Sequence, residues 1–542
     1  MEQLTHFEEA VAGQFLPDGR LLVERDSGGN EKVQLYVDPL RAGGVQELPP
    51  GVGGLAADAS SLEPLVVDER FIHGSPHAAG TTLAYSTNRR NGIDFDIVAR
   101  DLETGEEQTF EFEGWHYVAA ISADGRKIVA FRLGDRSGDS DLYLCDVDSG
   151  EVTHLTPHDE PAMYVTPIFR DDEVIWATNS GRDTLAVGGV ALEWDVTCFG
   201  DSAGAHLLLH VNEDGYSRLI LDGTDMPLPG RGVVGEDSVV FSPDGAKVAY
   251  AFSTPTQPHD VHVYDIGAGT TERLTSVSEP VDGLVEPTLH RFESFDGESI
   301  PVFLFSPPGD GPFPVVVTVH GGPEAQYHPE WHVNYAPLTQ YLVSRGYAVA
   351  APNVRGSSGY GKRFQALDDI RLRMDSVRDL EALHGWLSAR PEIDGSRAVV
   401  YGRSYGGFMV LAALAFQPEI WAAGIESVGI SSWVTFLENT SPYRRKARER
   451  EYGSLENDRE FLEELSPITH VDAIRAPLFI QHGANDPRVP LSESEAIARV
   501  LDQKGIRCEL VVYPDEGHSI AKLSNRIDSF DRAVAFLDEV LG

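Results

Sequence analysis

Three times in the first 250 residues an Asp-Gly turn feeds an apolar run: Pro17-Asp18-Gly19 before Leu21, Ala123-Asp124-Gly125 before Lys127-Ile128-Val129, and Pro243-Asp244-Gly245 before Lys247-Val248-Ala249. Glycine accepts the left-handed backbone that tight turns need and aspartate hydrogen-bonds within its own turn, so each triplet signals a reversal into a strand. A second element follows the same rhythm. Leu142-Tyr-Leu-Cys-Asp146-Val-Asp-Ser-Gly150 parallels Val261-His-Val-Tyr-Asp265-Ile-Gly-Ala-Gly269, and Ile97-Val-Ala-Arg-Asp101-Leu-Glu-Thr-Gly105 is a third copy. With weaker copies near Leu35, Leu185 and Leu219, about six modules recur at roughly the 40-residue period of a propeller blade. The pattern predicts an N-terminal β-propeller of six or seven blades over residues 1–283, with a β-sandwich as the competing architecture.

After Val281 strands alternate with helices, the pattern of a largely parallel sheet covered on both faces. Val315 to Val319, Ala348 to Ala351, Ala398 to Tyr401, Leu478 to Gln481 and Leu510 to Tyr513 read as buried strands. Helices are expected over Asp375 to Ala389, Phe408 to Phe416 and Ser492 to Lys504. A chain of 542 residues is too long for one core and divides into domains; the change of pattern puts a second domain at 284–542.

The strand ending in Tyr401 runs into Gly402-Arg403-Ser404-Tyr405-Gly406-Gly407 and then an apolar helix. A serine on so sharp a strand-to-helix turn is thrust out of the sheet edge, beside a helix N-terminus that favours developing negative charge. A serine hydroxyl is a weak nucleophile and needs a base, itself oriented by a carboxylate. Asp486, in His482-Gly-Ala-Asn-Asp486, and His518, in Glu516-Gly-His518, each follow a strand end, and the order Ser404, Asp486, His518 is that of an α/β-hydrolase fold. Asp515 and Asp472 are the alternative carboxylates. An oxyanion requires backbone donors already in place; His320-Gly321-Gly322-Pro323 follows a core strand, and the N–H groups of Gly322 and Tyr405 are the expected pair. An unperturbed imidazole at His518 would set an acid limb of activity near pH ~6 to 7.

Together His320-Gly-Gly-Pro, Asn353-Val-Arg-Gly-Ser-Ser-Gly-Tyr-Gly, Gly402-Arg-Ser-Tyr-Gly-Gly, His482-Gly-Ala-Asn-Asp-Pro-Arg and Glu516-Gly-His resemble the S9, or prolyl oligopeptidase, family of serine peptidases, above all its acylaminoacyl-peptidase and dipeptidyl-peptidase branches. The resemblance covers the whole chain. It implies that Arg488 contacts a substrate carbonyl and that Tyr405, Ile430, Trp433, Phe436 and Val489 line an apolar pocket for the residue before the scissile bond. It further implies a propeller that admits only short peptides or acylated amino acids, cleaved through an acyl-enzyme. An esterase or amidase acting on a small molecule, a dipeptidyl or endo-oligopeptidase, and a binding protein with an inert hydrolase domain are the alternatives. The N-terminal half is short for the family, and no adjacent glutamate pair stands where dipeptidyl peptidases hold a free amino terminus; Glu8-Glu9 and Glu106-Glu107 read as turn or edge residues.

The motifs imply neither metal nor organic cofactor. Eighty-five acidic against 43 basic residues give a net charge of −42, which repels nucleic acid and anionic membranes. It fits either a plain solvated surface or adaptation to high salt. Cys145, Cys198 and Cys508 have no disulfide or zinc spacing. With neither a leader-like start nor an apolar run of membrane length, a cytoplasmic setting is expected. The sequence leaves room for a homo-oligomer.

Overall fold

A computed structural model describes residues 11–38, 62–170, 173–201 and 204–541; Glu8-Glu9 lies outside them. Six successive antiparallel sheets occupy the first half, spanning residues 12–66, 73–110, 116–154, 164–187, 196–226 and 233–273. In the first five sheets each strand pairs with its neighbour in sequence, the up-and-down order of a propeller blade, and in the sixth Val233–Val234 and Val240–Phe241 both pair with Lys247–Thr254. The repeated triplets are repeated structures. Gly19, Gly125 and Gly245 all have positive φ, and Asp18, Asp124 and Asp244 accept the backbone N–H two residues on at 3.0, 3.0 and 3.1 Å. In the second element Asp101, Asp146 and Asp265 cap their turns through the N–H three residues on, at 2.7, 2.8 and 2.8 Å.

No blade is self-sufficient, because its core lies between sheets. In the strand Lys127–Leu133, Ile128 and Ala130 pack with Ala84 and Ile97 of the preceding blade. Val129 and Phe131, on the opposite face, pack near Tyr164 of the following one. Similar apolar seams join the other consecutive pairs from the first sheet to the sixth. This two-sided burial explains why the strand interiors are apolar at successive positions rather than strictly alternating.

The second half is built on one eight-stranded sheet. Its first two strands, Thr288–Glu293 and Ser299–Phe305, run antiparallel, and then Ala348–Pro352, Phe313–Val319, Ile393–Arg403, Ala423–Ser427, Leu478–Gly483 and Cys508–Tyr513 lie parallel in that spatial order. Successive side chains point to opposite faces. Val315, Val317, Val400 and Ile480 meet the helices Arg373–Ser388 and Tyr405–Phe416 on one side. Val316, Val399 and Phe479 meet Ala336–Ser344 and Leu523–Leu541 on the other. The expected helices form within a few residues of their sequence bounds. No helix among the described residues is long and apolar enough to cross a membrane.

The propeller sits against the C-terminal ends of the parallel strands. Gly29 and Gly517 approach so closely that a Cβ on Gly517 would lie 1.9 Å from the Gly29 carbonyl oxygen. Asn485 donates to the Gly28 carbonyl at 3.0 Å, Asn212 to Gln326 at 2.7 Å, and Arg450 to the Arg136 carbonyl at 2.9 Å.

Candidate active site

In an open parallel sheet the loops leaving the strand C-termini converge, and a site forms where they meet. The loops after Phe313–Val319, Ile393–Arg403, Leu478–Gly483 and Cys508–Tyr513 carry Gly322, Ser404, Asp486 and His518 respectively. Ser404 has φ 61° and ψ −119°, a conformation L-residues avoid. It is held there by its N–H on the Ser427 carbonyl at 2.9 Å and by the first turn of Tyr405–Phe416. The turn closes only because its flanks lack side chains. A Cβ on Gly402 would lie 2.2 Å from the Gly406 carbonyl oxygen, and one on Gly406 would lie 2.2 Å from that of Val319.

His518 Nδ1–H donates to Asp486 Oδ2 at 2.7 Å, which fixes the tautomer and leaves Nε2 as the basic nitrogen. The other carboxylate oxygen of Asp486 accepts the backbone N–H groups of Arg488 and Val489 at 2.8 and 3.1 Å, so the ion is fully solvated by protein. Burial drives the imidazolium of His518 well below the ordinary imidazole value, and the charges of Arg403 and Arg488 add to this against the pull of Asp486. The ring is therefore neutral, ready to accept a proton, over a wider pH range than an exposed imidazole. Asp515 is engaged elsewhere, by Lys522 at 2.7 Å, and Asp472 pairs with Lys504.

Ser404, His518, Arg488, Arg403, Gly321 and Gly322 line one cavity of about 370 Å³. The glycine loop lies against the serine: a Cβ on Gly321 would be 3.3 Å from Ser404 Cβ. Ser404, Gly322 and Arg488 also line a second pocket of about 240 Å³ with Ile430, Phe436 and Val489. Two of the five expected pocket residues stand elsewhere. Trp433 is 1% exposed and packs behind the wall on Phe408 and Tyr452, with ring centroids 4.6 and 4.3 Å away. The Tyr405 side chain turns away from the pocket, its hydroxyl 3.0 Å from Ser376 and 3.1 Å from Asp368. Tyr452 takes up the aromatic wall instead, donating to the Gly322 carbonyl at 3.1 Å. Glu324, Arg444 and Arg448 also line this pocket, so it is more polar than the sequence suggests.

Sequence reasoning missed three neighbours. Arg403, inside the serine motif, donates to the His518 carbonyl and to Ser519 Oγ, tying the histidine loop to the serine turn. Glu31 comes from the first blade, its backbone at φ 55°, and its carboxylate binds Arg488 and lies 3.5 Å from Arg444. No spacing in the sequence links residue 31 to residue 488. The third is the loop 326–330: Gln326, His328 and Glu330 line both the serine cavity and a chamber of about 400 Å³ among the inner strands of the last three blades. Glu107 is engaged within its blade by Arg100 at 2.9 Å, Arg89 at 2.8 Å and the Tyr85 hydroxyl, and serves no amine here. Chemically the site offers a half-buried hydroxyl on a strained turn facing the cavity, a neutral oriented base, backbone N–H groups at a helix N-terminus and a guanidinium: the parts of acyl transfer.

The model of the prolyl oligopeptidase family matches residues 331–542. Dipeptidyl aminopeptidase BIII of Pseudoxanthomonas mexicana is 28% identical over 97% of this chain and 79% of its own length. The acylamino-acid-releasing enzyme of Rattus norvegicus is 26% identical over 54% of this chain and 42% of its own length. Among solved structures, a puromycin-hydrolyzing peptidase of Mycobacterium tuberculosis superimposes with a TM-score of 0.81 at 20% identity, covering 100% of this chain and 88% of that one. That likeness is one of fold.

Proposed function

The chain belongs to the prolyl oligopeptidase family of serine peptidases, and from that premise we propose that it hydrolyses short peptides or acylated amino acids in an α/β-hydrolase domain at 284–542, gated by the propeller at 1–283. Ser404 attacks the scissile carbonyl while His518 Nε2 takes its proton, and Asp486 holds the ring and stabilises the imidazolium. The N–H groups of Tyr405 and Gly322 receive the oxyanion. His518 then protonates the leaving amine, and a water activated by the same nitrogen releases the acyl group. Ile430, Phe436 and Val489 receive an apolar side chain, backed by Trp433, and Arg488 holds the preceding carbonyl. The observation that carries this reading is the convergence of Ser404, His518 and Arg488 on one cavity beneath the propeller, with His518 bonded to Asp486.

Glu31 favours a second reading, release of dipeptides, because its carboxylate stands beside Arg488 where a free amino terminus would arrive. Comparing kcat/KM for acetyl-Phe, acetyl-Gly and Gly-Phe anilides, a p-nitrophenyl ester and a folded protein decides among the readings. Burying a Phe side chain is worth roughly 1.5 to 3 kcal/mol, so acetyl-Phe is expected to beat acetyl-Gly by one to two orders of magnitude. Equal rates would remove the apolar pocket, rapid cleavage of the folded protein would remove the gate, and ester turnover without anilide turnover would reassign the enzyme as an esterase. If Gly-Phe anilide outpaces acetyl-Phe anilide, and Glu31→Gln abolishes the advantage, the dipeptidyl reading replaces the first. Three unpaired cysteines, of which Cys145 and Cys198 are buried, support a reducing, cytoplasmic setting.

A further inference from the structure

Beneath Tyr405, on the side away from the serine cavity, three carboxylates converge: Asp368, Asp369 and Glu451 each present an oxygen within 4.8 Å of the others. Asp368 and Glu451 are each 1% exposed. One oxygen of each is bound by Arg373. The other oxygens, Asp368 Oδ1 and Glu451 Oε2, together with Asp369 Oδ1, accept no hydrogen bond among the described residues. Leaving a buried carboxylate oxygen unpaired is among the costliest arrangements a folded chain can hold, and here three occur side by side. Arg373 is the only guanidinium that hydrogen-bonds this trio among the described residues. On the helix that carries Glu451, Arg450 is committed to Glu324 at 2.9 Å, and Arg448, whose charge acts on both Glu324 and Glu451, lines the pocket at Ser404. With all three ionised, the one guanidinium that binds them and the Arg448 charge shared with Glu324 leave the cluster negative.

We propose that these three residues form a site for a hard divalent cation of calcium's size. A +2 ion neutralises the remaining charge and supplies a partner for all three free oxygens at once. The donors are all carboxylate oxygens, which suits calcium or magnesium and not zinc or copper. Ca–O distances of about 2.3–2.6 Å let ligand oxygens stand up to roughly 5 Å apart, a span that calcium tolerates better than the tighter octahedron of magnesium. A route inward exists. Asp369 lines a cleft of about 610 Å³ at the domain junction; of the cations that line it, Lys362 is occupied by the Pro161 carbonyl at 3.0 Å and Arg363 by Glu298 at 2.9 Å, and Arg182 is the third. The ion would join the turn at 368–369 to the last turn of Pro442–Tyr452, and through Asp368 would steady Tyr405, whose hydroxyl donates to Asp368 Oδ2 at 3.1 Å.

The test uses the full chain, stripped with EDTA and dialysed. Terbium, a calcium mimic, is titrated while its emission is excited through the nearby tyrosines, and CaCl2 and MgCl2 are titrated by calorimetry. One ion per chain is expected, with calcium bound more tightly than magnesium. At a hundredfold excess over Kd the melting temperature should rise by roughly 3 °C. Asp369→Asn, which removes a half-buried ligand without touching Arg373, should weaken binding roughly tenfold or more. The wild-type titration decides even if that variant folds poorly: no saturable terbium signal and no calcium-dependent melting would overturn the site. Equal affinity in a folded Asp369→Asn would overturn it too. So would a melting temperature that rises on acidification but ignores calcium, which would mean that the carboxylates are neutralised by protons.

Discussion

Replacing Glu426 by glutamine tests how the sheet core treats a carboxyl group. Glu426 lies on the interior strand Ala423–Ser427 with 0% exposure. Its Oε2 accepts the Gly429 N–H at 2.6 Å and its Oε1 lies 3.4 Å from Ser494 Oγ. Ser494 in turn contacts His482 Nδ1 at 2.8 Å, and His482 Nε2 donates to the Val489 carbonyl at 3.0 Å. No cation hydrogen-bonds the carboxyl among the described residues. Burial pushes it up from 4.5 to about 8. The folded value lies above the unfolded one, so the group contributes fully below pH 4.5, and stability is lost as pH climbs from there to about 8. At about 1.4 kcal/mol per pH unit, the loss reaches ~5 kcal/mol by pH 8. Glutamine keeps the shape and does not titrate. Glu426→Gln should therefore match the wild type near pH 4.5 and gain on it steadily to pH 8. Differential scanning calorimetry from pH 5 to 8.5 reads the gain as about 4 °C if all 542 residues melt as one unit, and about twice that if the catalytic domain melts alone. A difference between the two proteins that does not change with pH would refute the reasoning.

Ser404→Ala and His518→Ala should each cost on the order of 10⁴ or more in kcat with the far-ultraviolet circular dichroism unchanged, and Asp486→Asn nearly as much; a variant keeping a tenth of wild-type kcat would remove that residue from the triad. Because burial lowers the imidazolium pKa of His518, the base stays neutral further into acid than an exposed imidazole. The acid limb of kcat/KM should thus fall below pH 6, and a limb at 6.5 to 7 would show that solvent reaches the ring in the working enzyme. With a net charge of −42, added KCl should raise the melting temperature by screening self-repulsion. An unchanged value between low and molar salt would dispose of salt adaptation.

The blade repeat was legible because turn chemistry is local: Asp124-Gly125 and Asp244-Gly245 close the same turn through contacts two residues apart, wherever the blade sits. The sheet order was not legible. It rests on pairings such as Val316 with Val399, 83 residues apart, that no local pattern encodes. That Ser404, Asp486 and His518 come together could be read from sequence because each loop follows its own strand, and parallel strands deliver their C-terminal loops to one edge. Side-chain direction was another matter. Whether Tyr405 faces the pocket or Asp368 depends on the partner that satisfies its hydroxyl, and that partner is 37 residues away. Trp433 reads as a pocket residue by its place after a strand, yet packing on Phe408 and Tyr452 sets it behind the wall. Glu31 meets Arg488 only because the propeller closes over the strand ends, 457 residues along the chain. Local rules thus determined the elements and the reactive groups. Which surfaces those groups face was decided by long-range burial, since a polar atom withdrawn from water takes whatever partner the assembled fold brings within reach.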